Sequence, residues 1–457
     1  MPNLKIAITV FLVIFSYLAH GQNQDSTVSL TNALLLAERN YPLLKSKQHE
    51  IEATKKNIAL SKNTLIPSLD LSYQANLATY NNITGMLSPS GIFPISGPPS
   101  TENKYQPIFG SAAGFLMNWQ AITFGQRDAQ IASASADVNQ KEADRQMDVF
   151  KHLVNVANTY LDVALAKQLI AVTEKNITRV EFSLKQSRTL TNKGLRPGVD
   201  TALFQSELSK SRIDLLNARQ TFDKQKIILS QLLAAADPVD TRDSVFFNRF
   251  PTTLIGNSGD YSSHPLIRYP QSLAEYSQAK EKLIKRSYLP KLNVWSTAYA
   301  RGSGIKYDGT VNSIDGLGFS RFNYGIGFQI AYPLLKFADK NLQIQQQSLI
   351  TLSIQERLKE SLLVLDKQTQ ISQVTYANAL KIAAETSTQL AAAQYAFKAM
   401  QIRYNTGLAN FSDLIQAQYN LLKAETDSKQ SYWYVWKASL NKAAAQGDIN
   451  IFLNELK

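Results

Sequence analysis

The sequence predicts a mainly helical chain with a smaller β part, built from two copies of one unit. Three observations predict it. Two proline-centred segments, residues 41–44 and 65–69, return as residues 264–267 and 288–292, each at an offset of 223 residues. Strand-like alternation follows the second proline in both copies, and a long helical pattern follows the strands. The repeated order of these landmarks indicates that one ancestral unit was duplicated and fused.

The two ends and the midpoint of the chain set the expected boundaries. Residues 1–21 carry Lys5, an apolar run from Ile6 to Leu18 and a small-residue exit before Gln22, which is typical of a cleaved signal peptide. The alternative, a retained membrane anchor, needs about 20 apolar residues, and this run is shorter. We expect a signal peptide at 1–21, a first repeat at 22–236, a connector at 237–263, and a second repeat with a C-terminal tail at 264–457.

Four segments alternate between apolar and polar residues, a pattern that a pleated strand places on opposite faces. They are residues 68–77 and 113–119 in the first copy, and 292–299 and 324–332 in the second. Each pair brackets a turn-rich segment, residues 78–107 and 302–321, so we expect two β-hairpins. The first loop is the longer one, and it accounts for the later fall of the repeat offset from 223 to 213 residues.

A helical pattern follows each hairpin. In the first copy, apolar residues recur at alternating spacings of four and three, at Val149, Leu153, Val156, Tyr160, Val163 and Ile170. Leu358, Leu362 and Leu365 predict the same stripe in the second copy. Residues 126–191 contain no Pro or Gly, and a continuous helix of that length is about 100 Å long. We therefore expect long antiparallel coiled-coil helices in an elongated assembly, with the connector packed against them through Phe246, Phe247 and Phe250.

Composition and charge exclude several classes of protein. The chain has no cysteine, which excludes a lipid anchor at a new amino terminus and a disulfide scaffold. The formal net charge of +12 suits an acidic partner, either nucleic acid or a membrane surface, and export argues against nucleic acid. His49, His152 and His264 lack a metal-ligand spacing, and residues 302–304 are expected at a loop tip because no helix follows them to cradle a phosphate. We expect no catalytic, cofactor or metal site, and no enzyme.

The apolar faces of the four strands have no amphipathic helix of matching length to cover them, because the helical stripes are narrow and committed to each other. A bilayer would cover those faces, but unpaired backbone groups at an open sheet edge cost several kcal/mol each in lipid. A closed barrel needs about eight strands at least. Since one chain supplies four, the barrel must be shared, with eight strands from two protomers or twelve from three.

Together these landmarks resemble the TolC family of outer-membrane efflux proteins. The likeness extends over residues 29–447. It rests on the signal sequence, the duplicated order of helix, hairpin and helix, the junctions at Pro67 and Pro290, and the Gly-Leu turns. The resemblance implies a homotrimer in the cell outer membrane, in contact with its lipid. Twelve strands would form one shared barrel, and the helices would form an α-barrel in the periplasm. It also implies a periplasmic adaptor and, through it, an inner-membrane pump of the RND or ABC type.

Two Gly-Leu turns, Gly194-Leu195 and Gly407-Leu408, end the long helical patterns. A helix that ends in a left-handed residue favours Gly, and we expect the following Leu to cap the turn with an apolar contact. Ordinary helix ends would explain each glycine alone, but an Asp follows six residues after each, at Asp200 and Asp413. The resemblance implies that these two turns dock the adaptor.

Basic residues without neighbouring acids surround the two turns, at Lys185, Arg188, Lys193, Arg196, Lys398 and Arg403. Some members of the family carry a ring of aspartates just inside the periplasmic mouth, and this chain has no acid where that ring would lie. We expect a mouth of neutral or positive potential. Solvated side chains, or contacts with an acidic adaptor, are the alternatives. Arg403 and Tyr404 are candidates for contacts that hold a closed state.

These features predict a passive exit duct that passes small molecules, such as drugs and toxic compounds, from adaptor and pump to the exterior. Two alternatives remain. A conduit for polypeptide secretion would be built in the same way, because the pump selects the cargo. A periplasmic coiled-coil protein without a pore would use the alternating segments as surface hairpins.

Overall fold

A computed structural model describes residues 27–81, 102–251 and 261–456 of the chain. The predicted signal peptide, most of the first hairpin loop and residues 252–260 of the connector lie outside this part. The chain forms two compact units, and each unit contains segments from both halves of the sequence. The first unit combines residues up to 51 with 141–271 and 355–457, and the second combines 52–140 with 272–354.

The described residues form eight α-helices, of which two are far longer than the rest. They are α1 (Leu30–Asn40), α2 (Pro42–Asn63), α3 (Gln126–Asn192), α4 (Gly198–Leu233), α5 (Pro265–Ser287), α6 (Phe337–Asn405), α7 (Phe411–Ala445) and α8 (Ile449–Asn454). The prediction of an unbroken helix after the first hairpin is confirmed, since α3 has 67 residues. Its counterpart α6 has 69 residues. Within the described ranges, no helix carries an apolar stretch of the length and hydropathy needed to cross a membrane.

Six strands lie in the described residues, and four of them form one antiparallel sheet. They are β1 (Thr27–Val28), β2 (Ser68–Ala78), β3 (Ile108–Ile122), β4 (Asp240–Thr241), β5 (Lys291–Ser303) and β6 (Arg321–Ala331). The sheet has the order β2-β3-β5-β6, so both predicted hairpins are confirmed and they join through β3 and β5. The remaining pair, β1 with β4, is parallel and was not predicted.

The sheet, in the second unit, has one apolar and one polar face, as the alternation predicted. Leu71 lies opposite Phe115, which lies opposite Ala298, and Ala298 lies opposite Tyr324. The apolar side chains along the edge strands are exposed in the chain, with Leu71 72% and Tyr324 92% accessible. No described element covers that face of β2 or β6, because every residue of β2 and most of β6 are exposed.

One expectation about the second hairpin loop is wrong. Gly302 and Ser303 do not lie at a loop tip but extend β5, where they pair with Ser111 and Gly110 of β3. The strand continues because β3 is longer than predicted and offers backbone partners up to Ile108. A Cβ on Gly302 would lie 1.7 Å from the carbonyl oxygen of Gly318, so the folded loop needs glycine there.

The connector packs into the main core of the first unit, as its phenylalanines predicted. The Phe246 ring lies edge-on to Trp436, with centroids 5.2 Å apart, and 6.1 Å from the Tyr160 ring. All three side chains are fully buried. Phe250 stacks on Tyr432 at 4.3 Å. The stretch between the two halves is therefore held by aromatic packing on α3 and α7.

The predicted heptad stripe is confirmed in α3, and in α6 it becomes fully buried only from Leu365 onward. Val156, Tyr160 and Val163 are fully buried in α3. In α6, Leu365 is buried and Leu358 is half-buried, whereas Leu362 is 38% exposed, so the prediction is wrong at Leu362. The buried stripe begins at Leu365 and continues through Thr369, Ser372, Tyr376, Ala379 and Ala383 at the same spacings. Small and hydroxyl side chains form it, and Thr369 satisfies its hydroxyl by donating to the Leu365 carbonyl at 2.9 Å.

Candidate functional site at the two helix turns

The two Gly-Leu turns have the same backbone geometry. Gly194 has a φ of +70° and Gly407 a φ of +82°, in the left-handed region that favours glycine. The Leu195 N–H donates to the Leu190 carbonyl at 2.9 Å, and the Leu408 N–H donates to the Arg403 carbonyl at 2.8 Å. With the companion bonds from each glycine N–H, these are two Schellman motifs. The sequence prediction of left-handed glycines at both helix ends is confirmed.

The leucines that follow the glycines are exposed. Leu195 is 67% accessible and Leu408 is 71% accessible. The expected apolar capping contact does not bury either of them. Each turn therefore presents a leucine and a glycine to solvent in the single chain.

The helices that leave the two turns begin differently. In α7, Asn410 and Asp413 form a capping box, in which the Asp413 N–H donates to Asn410 Oδ1 at 2.9 Å and the Asn410 N–H donates to Asp413 Oδ2 at 3.2 Å. In α4 the N-cap is Pro197, which has no side-chain acceptor. Asp200, the counterpart of Asp413, is instead buried. The two aspartates that the repeat placed at equal distances from Gly therefore have different partners.

Asp200 binds Tyr404 from the other turn. The Tyr404 hydroxyl donates to Asp200 Oδ2 at 3.0 Å, and the Tyr404 side chain is fully buried. The Phe204 ring packs against Tyr404 at a centroid distance of 5.8 Å. Burial raises the pKa of the Tyr404 phenol above its ordinary value, and the Asp200 carboxylate adds to the rise. The phenol is therefore a neutral donor at physiological pH.

Arg196 joins the same cluster from the first turn. Its Nη2 donates to the carbonyl of Tyr404 at 2.9 Å and to that of Ala409 at 2.6 Å. Its guanidinium carbon lies 4.6 Å from the centre of the Tyr404 ring, a cation–π contact. The turn between α3 and α4 is thus joined to the turn between α6 and α7 by four residues, Arg196, Asp200, Phe204 and Tyr404. We call these four residues the tip cluster.

The other predicted basic residues do not join the tip cluster. All five of them are exposed, namely Lys185, Arg188, Lys193, Lys398 and Arg403. Arg188 donates to Gln205 Oε1 at 3.0 Å, and none of the five forms an ion pair within the described residues. Sequence reasoning missed Asp200 and Phe204 as members of the site. The signal that identifies Asp200 is its position six residues after Gly194, which matches that of Asp413 after Gly407.

A second set of contacts joins α7 to α3 and α4 along their length. Gln418 Nε2 donates to Asn176 Oδ1 at 3.1 Å, and Asn176 Nδ2 donates to Ser211 Oγ at 3.1 Å. All three side chains are buried. Arg179 forms a bidentate pair with Glu425, with distances of 2.9 and 2.7 Å. Buried polar contacts of this kind fix the register of packed helices.

Three comparisons with known proteins agree with this architecture. Residues 33–235 match the family model for outer membrane efflux proteins. The chain is 23% identical over 348 residues to the pyoverdine export outer membrane protein OpmQ of Pseudomonas aeruginosa, an alignment that covers 73% of this chain and 69% of OpmQ. Its fold is similar to that of CusC, with a TM-score of 0.76, 12% identity and coverage of 94% of this chain and 96% of CusC. It is also similar to VceC of Vibrio cholerae, with a TM-score of 0.72, 14% identity and coverage of 92% and 96%.

Long paired helices joined to a four-stranded antiparallel sheet define the fold of an outer-membrane channel. The match of residues 33–235 to the outer membrane efflux protein family confirms the resemblance to TolC proteins. These comparisons identify an outer-membrane efflux channel, a kind of protein that is not enzymatic. The predicted fold class, mainly helical with four strands in each chain, is confirmed as well.

Proposed function

We propose that the chain forms a homotrimeric exit duct for small molecules in a tripartite efflux system, with its helices in the periplasm. The observation that carries this proposal is the sheet of β2, β3, β5 and β6, which has an exposed apolar face and two free edges. In a trimer, β2 of one protomer would pair with β6 of the next. The proposal assigns two of the four strands to each repeat, residues 22–236 and 264–457.

Sheet closure explains why one chain is insufficient. β2 has eleven residues and β6 has eleven, all of whose outward backbone groups lack a strand partner within the described chain. In hydrocarbon each such group would cost several kcal/mol. Four strands are too few to close a barrel, since about eight is the smallest size that side chains can fill. Twelve strands from three chains would satisfy both edges and leave a water-filled interior.

The two exposed leucines support docking of a periplasmic adaptor at the turns. Leu195 and Leu408 offer apolar side chains on backbones held rigidly by Schellman motifs, and the tip cluster holds the two turns together. An apolar anchor at the centre of a small interface suits protein docking. The adaptor would link the channel to an inner-membrane pump of the RND or ABC type, which supplies the energy.

The tip cluster supports a gating role. Opening the periplasmic end would require the pair α6 and α7 to move against α3 and α4. The bonds from Arg196 and Tyr404 cross between those pairs, so they would have to break. Arg403, also predicted as a gate residue, is exposed and makes no side-chain contact in the described chain that would hold a closed state. The remaining basic residues around the turns would give the mouth a positive potential.

Disulfide trapping tests the trimer, and the absence of native cysteine makes the experiment clean. The substitution Asn323→Cys on β6 would be combined in turn with one of three cysteines on β2, Ser68→Cys, Ser72→Cys or Asn76→Cys. Three positions are used because the stagger between neighbouring protomers is not known in advance. We expect at least one pair to give a covalent trimer on oxidation, seen on a denaturing gel. The single-cysteine variants serve as controls. A protein that stays a water-soluble monomer, with no cross-linked species from any pair, would refute the proposal.

A further inference from the structure

The polar face of the four-stranded sheet carries an uneven distribution of charge. Asp70 is the one acidic side chain among the strand residues on this face, against Lys291, Arg301 and Arg321. The uncharged positions are mainly Ser, Asn, Gln, Thr and Gly. The excess of positive charge on this face is concentrated where β5 and β6 meet.

Arg301 and Arg321 lie directly opposite each other in the pairing of β5 with β6. Their neighbours in the same row across the sheet are Ala112 on β3 and Gln74 on β2, which carry no charge. Directly opposed residues on one face of an antiparallel pair have Cβ atoms about 5 Å apart, so like charges there repel. The row therefore holds two positive charges at close range without a carboxylate beside them.

Neither guanidinium has an anionic partner in the described chain. Both side chains are exposed, and no ion pair includes either of them. Arg321 Nη1 donates to the Ser320 carbonyl at 3.0 Å. A guanidinium presents a planar fork of donors that matches the two oxygens of a carboxylate or phosphate. Two such forks that face open space at the same level of the sheet are suited to an anion from solution.

Aromatic rings continue the same face next to the arginine pair. Tyr299 precedes Arg301 by two residues, and its side chain lies over Gly114, where an added Cβ would be 2.5 Å from Tyr299 Cβ. Trp295 lies across Gly325 and Gly327, and a Cβ on Gly327 would be 2.6 Å from its ring. Glycine at these positions lets the large side chains lie on the strands. Tyr299 therefore offers an aromatic ring in the row next to the two forks, and Trp295 offers a second ring two rows further along the face, where the body of an organic solute could pack.

We propose that Arg301 and Arg321 form an anion-selecting ring in the lumen of the channel, which favours organic solutes that carry a carboxylate or phosphate. The inference rests on the proposed function, since the polar face lines a pore only if the sheets close into a barrel. Three protomers would place three arginine pairs at one level. The wall of the channel has a low dielectric constant and would focus the electric field of the arginines on the passing solute. The three pairs would therefore raise the local anion concentration.

Reversal potentials of the full-length protein in planar bilayers test the ring, with potassium chloride at different concentrations on the two sides. The wild type should prefer chloride over potassium. The double variant R301Q/R321Q should lose about threefold or more of that preference while the channel still conducts. The charge-matched control K104Q/K306Q removes two exposed lysines of the hairpin loops, outside the strands, and should leave the reversal potential unchanged.

The single variants R301Q and R321Q provide the same test if the double variant inserts poorly into the bilayer. R301Q and R321Q should each shift the reversal potential part of the way, and neither should lower the melting temperature, because each relieves a like-charge contact. An unchanged reversal potential in conducting R301Q and R321Q channels would overturn the ring and leave the duct intact. A wild-type protein that never conducts would instead refute the proposed function, and the ring with it.

Discussion

The two helix turns share a backbone and differ in what their aspartates do. Both turns are Schellman motifs with glycine in the left-handed region and an exposed leucine after it. Asp413 caps its own helix, whereas Asp200 accepts a hydrogen bond from Tyr404 of the other turn. The helix after Gly194 begins at Pro197 and has no side-chain cap. The two turns are therefore equal in backbone, but the first uses its aspartate for a contact between the turns, whereas the second uses it as a local cap.

The largest expected effect comes from Tyr404, which belongs to the contact between the turns. Tyr404→Ala removes a fully buried aromatic ring, a change that typically lowers the free energy of unfolding by about 3–5 kcal/mol. Thermal denaturation followed by circular dichroism would measure it. Tyr395→Ala on the same helix is the matched control, because Tyr395 is 78% exposed and its loss should cost less than about 0.5 kcal/mol. Equal losses in the two variants would contradict the buried position of Tyr404.

The two aspartates separate the local cap from the cross-turn contact. Asp200→Ala leaves the buried Tyr404 hydroxyl without its acceptor, at a cost of about 1–3 kcal/mol. Asp413→Ala loses one half of a capping box, with an expected cost near 1 kcal/mol.

Double-mutant cycles with Tyr404→Phe sharpen this comparison. Residues that share a hydrogen bond show non-additive losses, so D200A should couple to Y404F, whereas D413A should add to it. A D413A cycle with as much coupling as the D200A cycle would show that the two turns are not specialised.

Gly194 and Gly407 should lose similar stability on substitution, because both have a positive φ and no atom lies near either of them. Gly194→Ala and Gly407→Ala each force a Cβ into the left-handed region, at a cost of about 1–2 kcal/mol. No atom lies within 4 Å of either added Cβ, so the whole cost is conformational. Gly198→Ala is the control, since Gly198 lies within helix α4 without a positive φ and alanine there should be neutral or stabilising. Melting temperatures of the three variants would measure the effect, and a clear inequality between G194A and G407A would break the symmetry of the backbones.

The smallest effect concerns the far ends of α4 and α7, where two histidines occupy similar positions. His152 Nε2 lies 3.0 Å from the Leu232 carbonyl, and His264 Nε2 lies 3.1 Å from that of Ala444. His264 Nδ1 also accepts from the Leu266 N–H at 3.1 Å, so the ring is the neutral tautomer with hydrogen on Nε2.

Burial lowers the pKa of His264 and of His152 below the ordinary value. The unfolded chain then binds more protons than the folded chain as pH falls through about 6.5, so stability declines below that pH. His264→Gln should make the melting temperature depend less steeply on pH between about 6.5 and 5. His49→Gln, at an exposed site, is the control and should keep the wild-type slope. A slope that H264Q leaves unchanged would place the acid sensitivity elsewhere.

Periodicity and proline positions were sufficient to predict the four strands of the main sheet, their hairpins and the long helices. Alternation after Pro67 and Pro290 placed β2 and β5, because a period of two has one structural meaning. The α6 stripe was predicted only as far as Leu365, because beyond that residue it is built mainly from Thr369, Ser372 and alanines rather than from leucines. Leu362 lies on the same stripe three residues before Leu365, but it is 38% exposed.

The candidate site at the two turns could be predicted only in part. Gly194 and Gly407 follow from local backbone chemistry, and Tyr404 was selected for its position beside the second turn. The partnership of Tyr404 with Asp200 spans 204 residues of sequence and depends on how two helix pairs dock. One sequence contains no signal for that docking. Arg196 was predicted as a charge at the mouth, and its bonds to two carbonyls of the other turn became visible only in the structure.

The short parallel pair of β1 and β4 has a consequence for the order of folding. Val28 pairs with Thr241, the Leu30 N–H donates to Asp243 Oδ2 at 2.8 Å, and the Tyr160 hydroxyl donates to the same oxygen at 2.8 Å. Helix α1 therefore cannot reach its final position until more than half of the chain has been synthesised and translocated. Contacts so distant in sequence form late. During export the first helix must wait, with its apolar residues Leu30 and Leu34 uncovered, and this interval is when a periplasmic chaperone would have a segment to hold.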